Sequence, residues 1–297
     1  MVGQNIQQHP RDEDWQILAP TRSELDLMDA AAVESFIKTN RPDVVLHAAG
    51  RVGGIEANIQ NPVAFLDQNT QIGRNVILGA YKAGVSHLVN LGSTCIYPRH
   101  AKNPLSEELI LTGELEPTNE GYALAKILAL RLCEYIERED SSVFYKTLVP
   151  CNLYGRYDNF DPNTSHLLPA IIHKIHKAKQ TGLSEVEIWG DGTARREFMF
   201  AADLAEMTLQ AVADLSALPG VMNVGLGYDY SINEYYQAVA EVIEWEGEFT
   251  HNLSRPVGMK QKLSDVSRLT EWGWVAKTSL IDGIKQSYEF YLEDISF

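Results

Sequence analysis

The stretch His87-Leu88-Val89-Asn90-Leu91-Gly92-Ser93 is the most informative part of the chain, because a short apolar run leads directly into a turn of small residues. A run of this length and composition is typical of a strand buried in a parallel sheet. The sequence therefore predicts a strand at residues 87–91 with Ser93 just past its carboxyl end. Doubly wound sheets bind their ligands at this edge.

Similar apolar runs lie on both sides of this segment and alternate with amphipathic stretches. Further strands are predicted at residues 15–19, 43–48, 143–149, 186–189 and 221–224. Helices are predicted at residues 29–39, 61–84, 120–137, 167–179, 202–214, 232–244 and 280–291. This alternation predicts an α/β fold of the doubly wound Rossmann type, in which helices cover both faces of a parallel sheet.

The character of the chain changes near residue 150. Residues 151–165 are rich in Asn, Asp, Tyr, Gly and Pro, as expected of loops that line a site. We therefore expect a cofactor-binding domain over residues 1–150. Residues 151–297 are expected to form a smaller α/β substrate domain, with some of its elements returning to the first domain.

The chain starts Met1-Val2-Gly3-Gln4-Asn5-Ile6, and no apolar strand precedes this segment. A dinucleotide-binding sheet opens with such a strand and a glycine-rich turn, whose N–H groups hold the pyrophosphate. Gly3 is interpreted as the last glycine of that turn, so the sheet is expected to lack its first strand. The alternative is an ordinary chain start that contains one glycine.

Tyr122 and Lys126 are four residues apart on a predicted helix and therefore share one face of it. A lysine ammonium beside a phenol is expected to lower the tyrosine pKa, and the Ser93 hydroxyl can bond the same substrate oxygen. The three residues predict a proton-transfer site next to a carbonyl or carbinol carbon. The spacing alone also fits a surface lysine and a half-buried tyrosine.

Composition excludes several classes of protein. The 297 residues carry a formal net charge of -15, which argues against nucleic-acid binding. No run of about 18 apolar residues and no signal pattern is present, so we expect neither a membrane span nor export. The three cysteines, Cys95, Cys133 and Cys151, are widely spaced and predict neither disulfides nor a zinc site, which indicates the cytoplasm. His173 and His176 lack a third metal ligand, so no metal is expected.

With these residues in view, the chain resembles the extended short-chain dehydrogenase/reductase family, and within it the epimerase-reductases of GDP-keto sugars. The resemblance covers essentially the whole chain, apart from the missing start. The motifs that carry it are Arg51-Val52-Gly53-Gly54-Ile55, Gly92-Ser93-Thr94-Cys95-Ile96-Tyr97-Pro98, Glu116-Pro117-Thr118-Asn119-Glu120, Asn152-Leu153-Tyr154-Gly155, Asp158-Asn159-Phe160, Ser165-His166, Trp189-Gly190 and Arg196-Glu197-Phe198.

The resemblance implies NADPH-dependent epimerisation and reduction of GDP-4-keto-6-deoxy-D-mannose to GDP-L-fucose. Tyr122, Lys126 and Ser93 would serve the reduction. Epimerisation needs a base on one face of the sugar and an acid on the other, and Cys95 and His166 are the candidates. The alternatives are a small buried cysteine and a loop histidine bonded to a backbone carbonyl.

NADP(H) is the expected cofactor, because Arg22 stands where NAD enzymes carry an acid for the ribose diol. An exposed arginine in a turn can also simply be solvated. The residues expected to contact the cofactor are Gly3, Arg22, Ser23, Glu24, Leu25, Asp26, Leu27, Leu91, Gly92, Ser93, Thr94, Lys126, Pro150, Cys151, Asn152, Leu153 and His166.

By resemblance, the GDP part of the substrate is bound by Lys174, Trp189, Arg196 and Asp265. Arg195 next to Arg196 leaves open which of the two arginines points into the site. The family also implies a homodimer formed through the helices at residues 61–84 and 120–137. Two rival functions are another nucleotide-sugar enzyme of the same fold, such as a GDP-colitose synthase, and a non-catalytic nucleotide-sugar-binding remnant.

Overall fold

A computed structural model of the protein describes residues 1–10, 15–161, 164–255 and 258–294. The strands are β1 (Val44–His47), β2 (His87–Leu91), β3 (Phe144–Pro150), β4 (Asn152–Tyr154), β5 (Glu185–Trp189), β6 (Arg195–Arg196), β7 (Phe198–Phe200), β8 (Val221–Val224), β9 (Tyr230–Ser231), β10 (Glu248–Asn252) and β11 (Gln261–Lys262). The α-helices are α1 (Val2–Gln8), α2 (Ala30–Asn40), α3 (Ile55–Gln60), α4 (Pro62–Lys82), α5 (Glu120–Glu139), α6 (Leu167–Thr181), α7 (Ala201–Ala213), α8 (Ile232–Ile243), α9 (Ser267–Trp272) and α10 (Leu280–Asp294).

The central sheet is parallel and has the strand order β1-β2-β3-β8. Neighbouring residues of a strand face opposite sides, so Leu88 packs among residues of α2, α4 and α5 whereas Val89 packs among residues of α7. Both faces are thus covered, which explains why these strands are mostly apolar. The predicted α/β fold is confirmed, and β8 is an element of the second half of the chain that returns to this sheet.

The predicted helices are confirmed to within a few residues, because the sequence contains their start and stop signals. The Asp29 carboxylate caps α2 by accepting from the N–H groups of Ala31 and Ala32. Pro62 begins α4, and α6 ends at Gly182, which has a φ of 67°.

The strand predicted at residues 15–19 is wrong, since residues 15–20 have no regular secondary structure. A strand requires a hydrogen-bonded neighbour, and in the described residues β1 pairs only with β2. Leu18 is accordingly half exposed. Gly3, interpreted as the last glycine of a turn that leads onto a helix, lies in the first turn of α1.

The rest of the second half forms three small sheets, with strand orders β10-β5, β11-β6-β9 and β4-β7. Helices α6, α8 and α10 contribute to a core of their own around Ile171, Tyr235 and Ile284. The two-residue strands β6 and β11 are too short to be predicted from periodicity. None of the helices in the described ranges has the length and apolar character needed to cross a membrane.

Candidate active site

Ser93 lies at the carboxyl end of β2, as the sequence predicts. The Gly92 N–H donates to the Leu148 carbonyl of β3 over 2.7 Å, which holds the start of the turn against the sheet. Ser93 then caps a short 3₁₀ turn over Thr94–Ile96, with Oγ 3.5 Å from the Cys95 nitrogen. The turn is fixed at its far end by Tyr97, whose hydroxyl donates to Asn223 Oδ1 over 2.6 Å.

Tyr122 and Lys126 face this turn from α5. The Lys126 ammonium is buried and donates to the Leu91 carbonyl over 2.8 Å. It lies 5.7 Å from the centroid of the Tyr122 ring, and the Tyr122 side chain interacts with Ser93. The structure therefore brings Ser93, Tyr122 and Lys126 together at the edge of the sheet.

The expectation that Lys126 lowers the Tyr122 pKa is wrong for this structure. Burial raises the tyrosine pKa, with a smaller contribution from Cys95, and only a hydrogen bond with Ser93 opposes the rise. The cause is the direction of the lysine, which points to the Leu91 carbonyl. Burial also lowers the pKa of Lys126 itself, to about 8. At neutral pH the site therefore holds a protonated phenol and a cationic lysine.

Cys95 is buried two residues after Ser93, within an apolar cluster that includes Ile96 and Ile127. Burial raises its thiol pKa, while Lys262, Ser93 and Lys126 act in the opposite direction. Two nearby cations and a serine hydroxyl favour the thiolate form of Cys95, which a cysteine with a purely structural role does not need. The geometry is compatible with both interpretations made from the sequence.

His166 immediately precedes α6 and is an exposed residue, although desolvation by surrounding atoms lowers its pKa. The loop before it closes on the motif at residues 51–55. A Cβ on Gly54 would lie 3.2 Å from the Ser165 carbonyl, so this approach requires a glycine. The histidine is thus neutral at pH 7 and next to a second predicted motif.

Lys262 is the main site residue that the sequence did not predict. It stands opposite Arg196 in the β11–β6 ladder. Desolvation lowers its pKa, and the nearby Cys95 acts in the opposite direction. Its ammonium has no ion pair with any residue in the described ranges. The lysine is 167 residues from Cys95 in the chain, so no local spacing could indicate that the two are neighbours.

A second residue that sequence analysis missed is His47, at the carboxyl end of β1. Its side chain is buried, and burial together with the nearby Lys126 lowers its pKa to about 3. It is therefore a neutral ring behind the lysine.

The structure distinguishes Arg195 from Arg196. Arg195 donates from Nε to Asp229 Oδ1 over 2.6 Å, so an acid already neutralises it. Arg196 is the next residue of the strand and faces the other side, beside Lys262. Its guanidinium donates to the Arg195 carbonyl, and its pKa is lowered by burial. Arg196 is thus the arginine that faces the side of Cys95.

The remaining substrate candidates fall into two places. Lys174 donates to the Glu187 carbonyl, and Trp189, two residues further along β5, is half exposed beneath the Arg255 guanidinium at 4.9 Å. Asp265 lies elsewhere: its carboxylate accepts from the Ser267 hydroxyl over 2.5 Å and from the Ser267 N–H over 2.9 Å, and both bonds lower its pKa. The structure groups Lys174 with Trp189 and gives Asp265 a role in the turn before α9.

The cofactor candidates at residues 22–27 form a surface loop. Arg22 is exposed, and its guanidinium has no ion pair with a described residue. Neighbouring polar groups are occupied, since Glu24 accepts from Thr21, and Asn75 holds the loop by donating to the Leu27 carbonyl over 3.0 Å. The unpaired Arg22 guanidinium is a donor suited to a 2′-phosphate, and the Lys126 ammonium lies at the carboxyl edge of the sheet, where dinucleotides bind. The residues present therefore fit the group.

The other cofactor candidates border the same edge of the sheet. Leu91 supplies the carbonyl that binds Lys126, and Thr94 lies in the turn after Ser93. Pro150 ends β3 and Asn152 begins β4, where its amide donates to the Glu197 carbonyl over 2.9 Å. Cys151 is buried between them, and Leu153 follows in β4.

The rings of His173 and His176 each contact a tyrosine hydroxyl of α10. Their Nδ1 atoms lie 3.0 Å from the Tyr291 hydroxyl and 2.8 Å from the Tyr288 hydroxyl, respectively. No group of three His, Cys, Asp or Glu side chains that could hold a metal ion occurs among the residues that the structure describes.

Comparison with known proteins agrees with this geometry. The chain is 50% identical over 294 residues to a GDP-L-colitose synthase of Yersinia pseudotuberculosis, which covers 99% of this chain and 96% of the relative. It is 52% identical over 292 residues to a GDP-L-fucose synthase of Azorhizobium caulinodans, with coverage of 98% and 93%. A solved GDP-mannoheptose C4 reductase from Campylobacter jejuni, with NADP bound, matches with a TM-score of 0.84 and 34% identity, covering 93% of this chain and 89% of that one.

A family model matches residues 1–225, three quarters of the chain. Together with the full-length relatives, it confirms the enzyme class and the resemblance to extended short-chain dehydrogenases that the motifs indicate. This chain belongs to the NAD dependent epimerase/dehydratase family.

Proposed function

We propose that this protein is an NADPH-dependent epimerase-reductase that converts GDP-4-keto-6-deoxy-D-mannose to GDP-L-fucose. The observation that carries the proposal is the position of Cys95 two residues after Ser93 and close enough to Lys126 and Tyr122 to affect their pKa values. A simple reductase needs only the serine, the tyrosine and the lysine. The GDP-L-fucose synthase relative at 52% identity supports the same function.

The first task of such a site is to move protons at carbons beside the ketone. A C–H bond there is acidified when donors hold the developing enolate oxygen, which Ser93 and Tyr122 would do. Cys95 and His166 would then remove a proton from one face of the sugar and return a proton to the other. His166 is suited to accept a proton because desolvation keeps its ring neutral.

The second task is to reduce the ketone to an alcohol. NADPH, when bound, supplies the hydride. Tyr122 gives its phenolic proton to the ketone oxygen. Lys126 would stabilise the tyrosinate that remains once its ammonium turns from the Leu91 carbonyl toward the phenol, until solvent restores the proton. The raised pKa of Tyr122 means that the phenol is protonated before the reaction.

The GDP group would lie along the second half of the chain. Lys174 and Arg196 would hold the diphosphate and Trp189 the base, and Asp265 is kept as a further predicted contact. Residues 1–150 would then act as the cofactor domain and residues 151–297 as the substrate domain. Three buried cysteines without disulfides support a cytoplasmic location.

The proposal is tested by separating the two tasks in deuterated water. Cys95→Ala should suppress deuterium uptake beside the ketone, whereas a ketosugar that has already been epimerised should still be reduced. Cys133→Ala is the matched control, since Cys133 is also buried but faces the other side of α5, in the core around α4. His166→Ala should show the same separation at one of the two carbons. Unchanged exchange in both the Cys95 and the His166 variants would leave a simple reductase.

The cofactor is tested at Arg22. Arg22→Ala should weaken NADPH binding by about 1.5–3 kcal/mol, the contribution of hydrogen bonds to a charged group, and leave NADH binding almost unchanged. Arg138→Ala, which removes an exposed arginine of α5, should change neither. Equal losses for both cofactors would show that Arg22 does not contact the 2′-phosphate.

A second candidate function is GDP-L-colitose synthesis, which the relative at 50% identity favours. Colitose lacks the 3-hydroxyl group of fucose, so the two functions differ in the keto sugar that is consumed. Competition between the two keto sugars measures the ratio of their kcat/KM values directly. A ratio above about tenfold in favour of the 3-deoxy sugar would replace the first proposal.

We also propose a homodimer formed by α4 and α5. Leu124, Leu128 and Tyr135 form an exposed apolar stripe along α5, and Val63 and Leu66 continue it on α4. Exposed apolar residues clustered in this way mark association surfaces. Sedimentation at micromolar concentration should give twice the mass of 33.2 kDa, and Leu128→Glu should give the monomer. A monomeric wild-type protein would contradict the proposal.

A further inference from the structure

A basic pocket is lined by residues outside the candidate active site. It is an open pocket of about 440 Å³, bounded by the loop at residues 99–103, the start of β6 and the segment that leads into β11. Its charged side chains are all cationic or potentially so: Arg99, His100, Lys102, Arg195 and Lys260. This cluster is unusual in a chain with a net charge of -15.

The pocket is separate from the catalytic cleft because it uses the other face of the same ladder. In the parallel β6–β11 ladder, the backbone of Arg195 lies opposite Gln261 and that of Arg196 lies opposite Lys262. Neighbouring residues of a strand point to opposite faces. Arg195 and Gln261 therefore line the pocket, whereas Arg196 and Lys262 face the side of Cys95.

The walls of the pocket are held in place before any ligand binds. Asp229 accepts from Arg195 Nε over 2.6 Å and from the Gln261 amide over 2.7 Å, which fixes both side chains. The Arg195 N–H donates to the Lys260 carbonyl over 2.9 Å. Asn103 ties its loop to β11 by accepting from the Leu263 N–H over 2.8 Å. Such preorganisation lowers the entropic cost of binding.

Several cationic groups of the pocket remain available. Lys102 and Lys260 are exposed, and neither ammonium has an ion pair with any residue in the described ranges. Arg99 pairs with Glu114, but that carboxylate is 79% exposed and so holds the arginine weakly. Arg99 Nε is also buried without a described acceptor. A buried donor without an acceptor is a position that a ligand oxygen can satisfy.

We propose that this pocket binds a diphosphate-bearing small molecule, such as a nucleoside diphosphate, at a site separate from the catalytic cleft. Lys102 and Lys260 supply two uncompensated positive charges, and Arg99 supplies a planar donor suited to phosphate oxygens. The volume is within the range of small-molecule sites and exceeds the need of a single phosphate ion. The pocket does not depend on the reaction proposed above.

The test is calorimetric titration of the full chain with inorganic pyrophosphate at low ionic strength. The double variant Lys102→Gln/Lys260→Gln should lose one pyrophosphate per chain or bind it at least about tenfold more weakly. The matched control is Lys177→Gln/Lys285→Gln, which removes the same charge from two exposed lysines on α6 and α10. Both double variants should unfold at the wild-type temperature, because all four side chains are exposed.

The catalytic cleft is distinguished from the pocket by Arg196→Ala. This variant should retain the pyrophosphate that depends on Lys102 and Lys260. This variant is then titrated with pyrophosphate, ADP and GDP to distinguish a nucleotide ligand from a simple diphosphate. A nucleotide that binds more tightly than pyrophosphate must also contact the pocket through its nucleoside. The proposal is overturned if the Lys102/Lys260 variant binds like the wild type, if the control weakens equally, or if Arg196→Ala abolishes all binding.

Discussion

Two lysines lie close to Cys95, and they differ in how the fold holds them. Lys126 is on the 20-residue helix α5 and donates to the Leu91 carbonyl over 2.8 Å. Lys262 is on the two-residue strand β11 and has no ion pair with a described residue. Desolvation lowers the pKa of both. The first donates to a backbone carbonyl, whereas the second has no close ion pair among the described residues and interacts with Glu116 only at longer range.

The different surroundings of Lys126 and Lys262 indicate different roles in the site. A desolvated charge without a partner destabilises the fold, and sites that retain one generally use it on a ligand. Lys262 stands beside Arg196, so the two cations together are suited to an anionic or electron-rich substrate group. Lys126, by contrast, already has an acceptor and acts on the neighbouring Tyr122.

The largest expected effect is at Tyr122, the residue on which Lys126 acts. Tyr122→Phe should lower kcat for reduction by about 10²-fold or more, because a positioned proton donor is lost. Tyr135→Phe, at an exposed position of the same helix, should leave kcat unchanged. Single-turnover reduction and thermal unfolding would be measured on both variants. A Tyr122 variant with near-normal reduction would remove α5 from the catalytic site.

The two lysines also show which parts of the site could be predicted from the sequence and which could not. Tyr122 and Lys126 are four residues apart, so helical periodicity alone places them on one face. The strand before Ser93 is likewise a local apolar signal. Lys262 reaches the site only through a pairing between two-residue strands, and that pairing depends on Glu197, which is buried and accepts from the Ser264 and Leu226 N–H groups. No local pattern contains this information.

The pKa of Tyr122 could not be predicted for a related reason. The spacing indicates that a lysine is near, but its direction is set by the Leu91 carbonyl, which belongs to another element. The strand expected at residues 15–19 fails on the same ground, because local propensity does not supply a hydrogen-bonding partner.

The next largest effect is expected from replacing Lys262, which has no close ion pair, and is compared with the replacement of a lysine that has one. Lys262→Met should lower kcat/KM by about tenfold, since a charge-assisted contact to substrate is lost, and should raise the melting temperature, since a desolvated charge is removed. Lys146→Met is the matched control. Lys146 is buried, whereas Lys262 is partly exposed, and Lys146 pairs with Glu137 over 2.8 Å. Its removal leaves that carboxylate without its cation and should lower the melting temperature. A melting temperature that falls in both variants would show that Lys262 is structural.

The smallest effect at neutral pH is the pH dependence of reduction, which becomes large only at alkaline pH. Lys126 is cationic below its pKa, which burial lowers to about 8, so its charge is lost as the pH rises through that value. The rate of reduction should therefore fall above about pH 8, approaching tenfold per pH unit, and not at the higher pH at which a solvated lysine titrates. Lys126→Arg should remain charged and move this limb to higher pH, even at a lower absolute rate. Lys262→Met should keep the limb near pH 8, because Lys126 is intact. Single-turnover rates would be measured from pH 6 to 10 for the wild type, Lys126→Arg and Lys262→Met. If the fall in rate above pH 8 were absent in the Lys262 variant, the titrating group would be Lys262 and not Lys126.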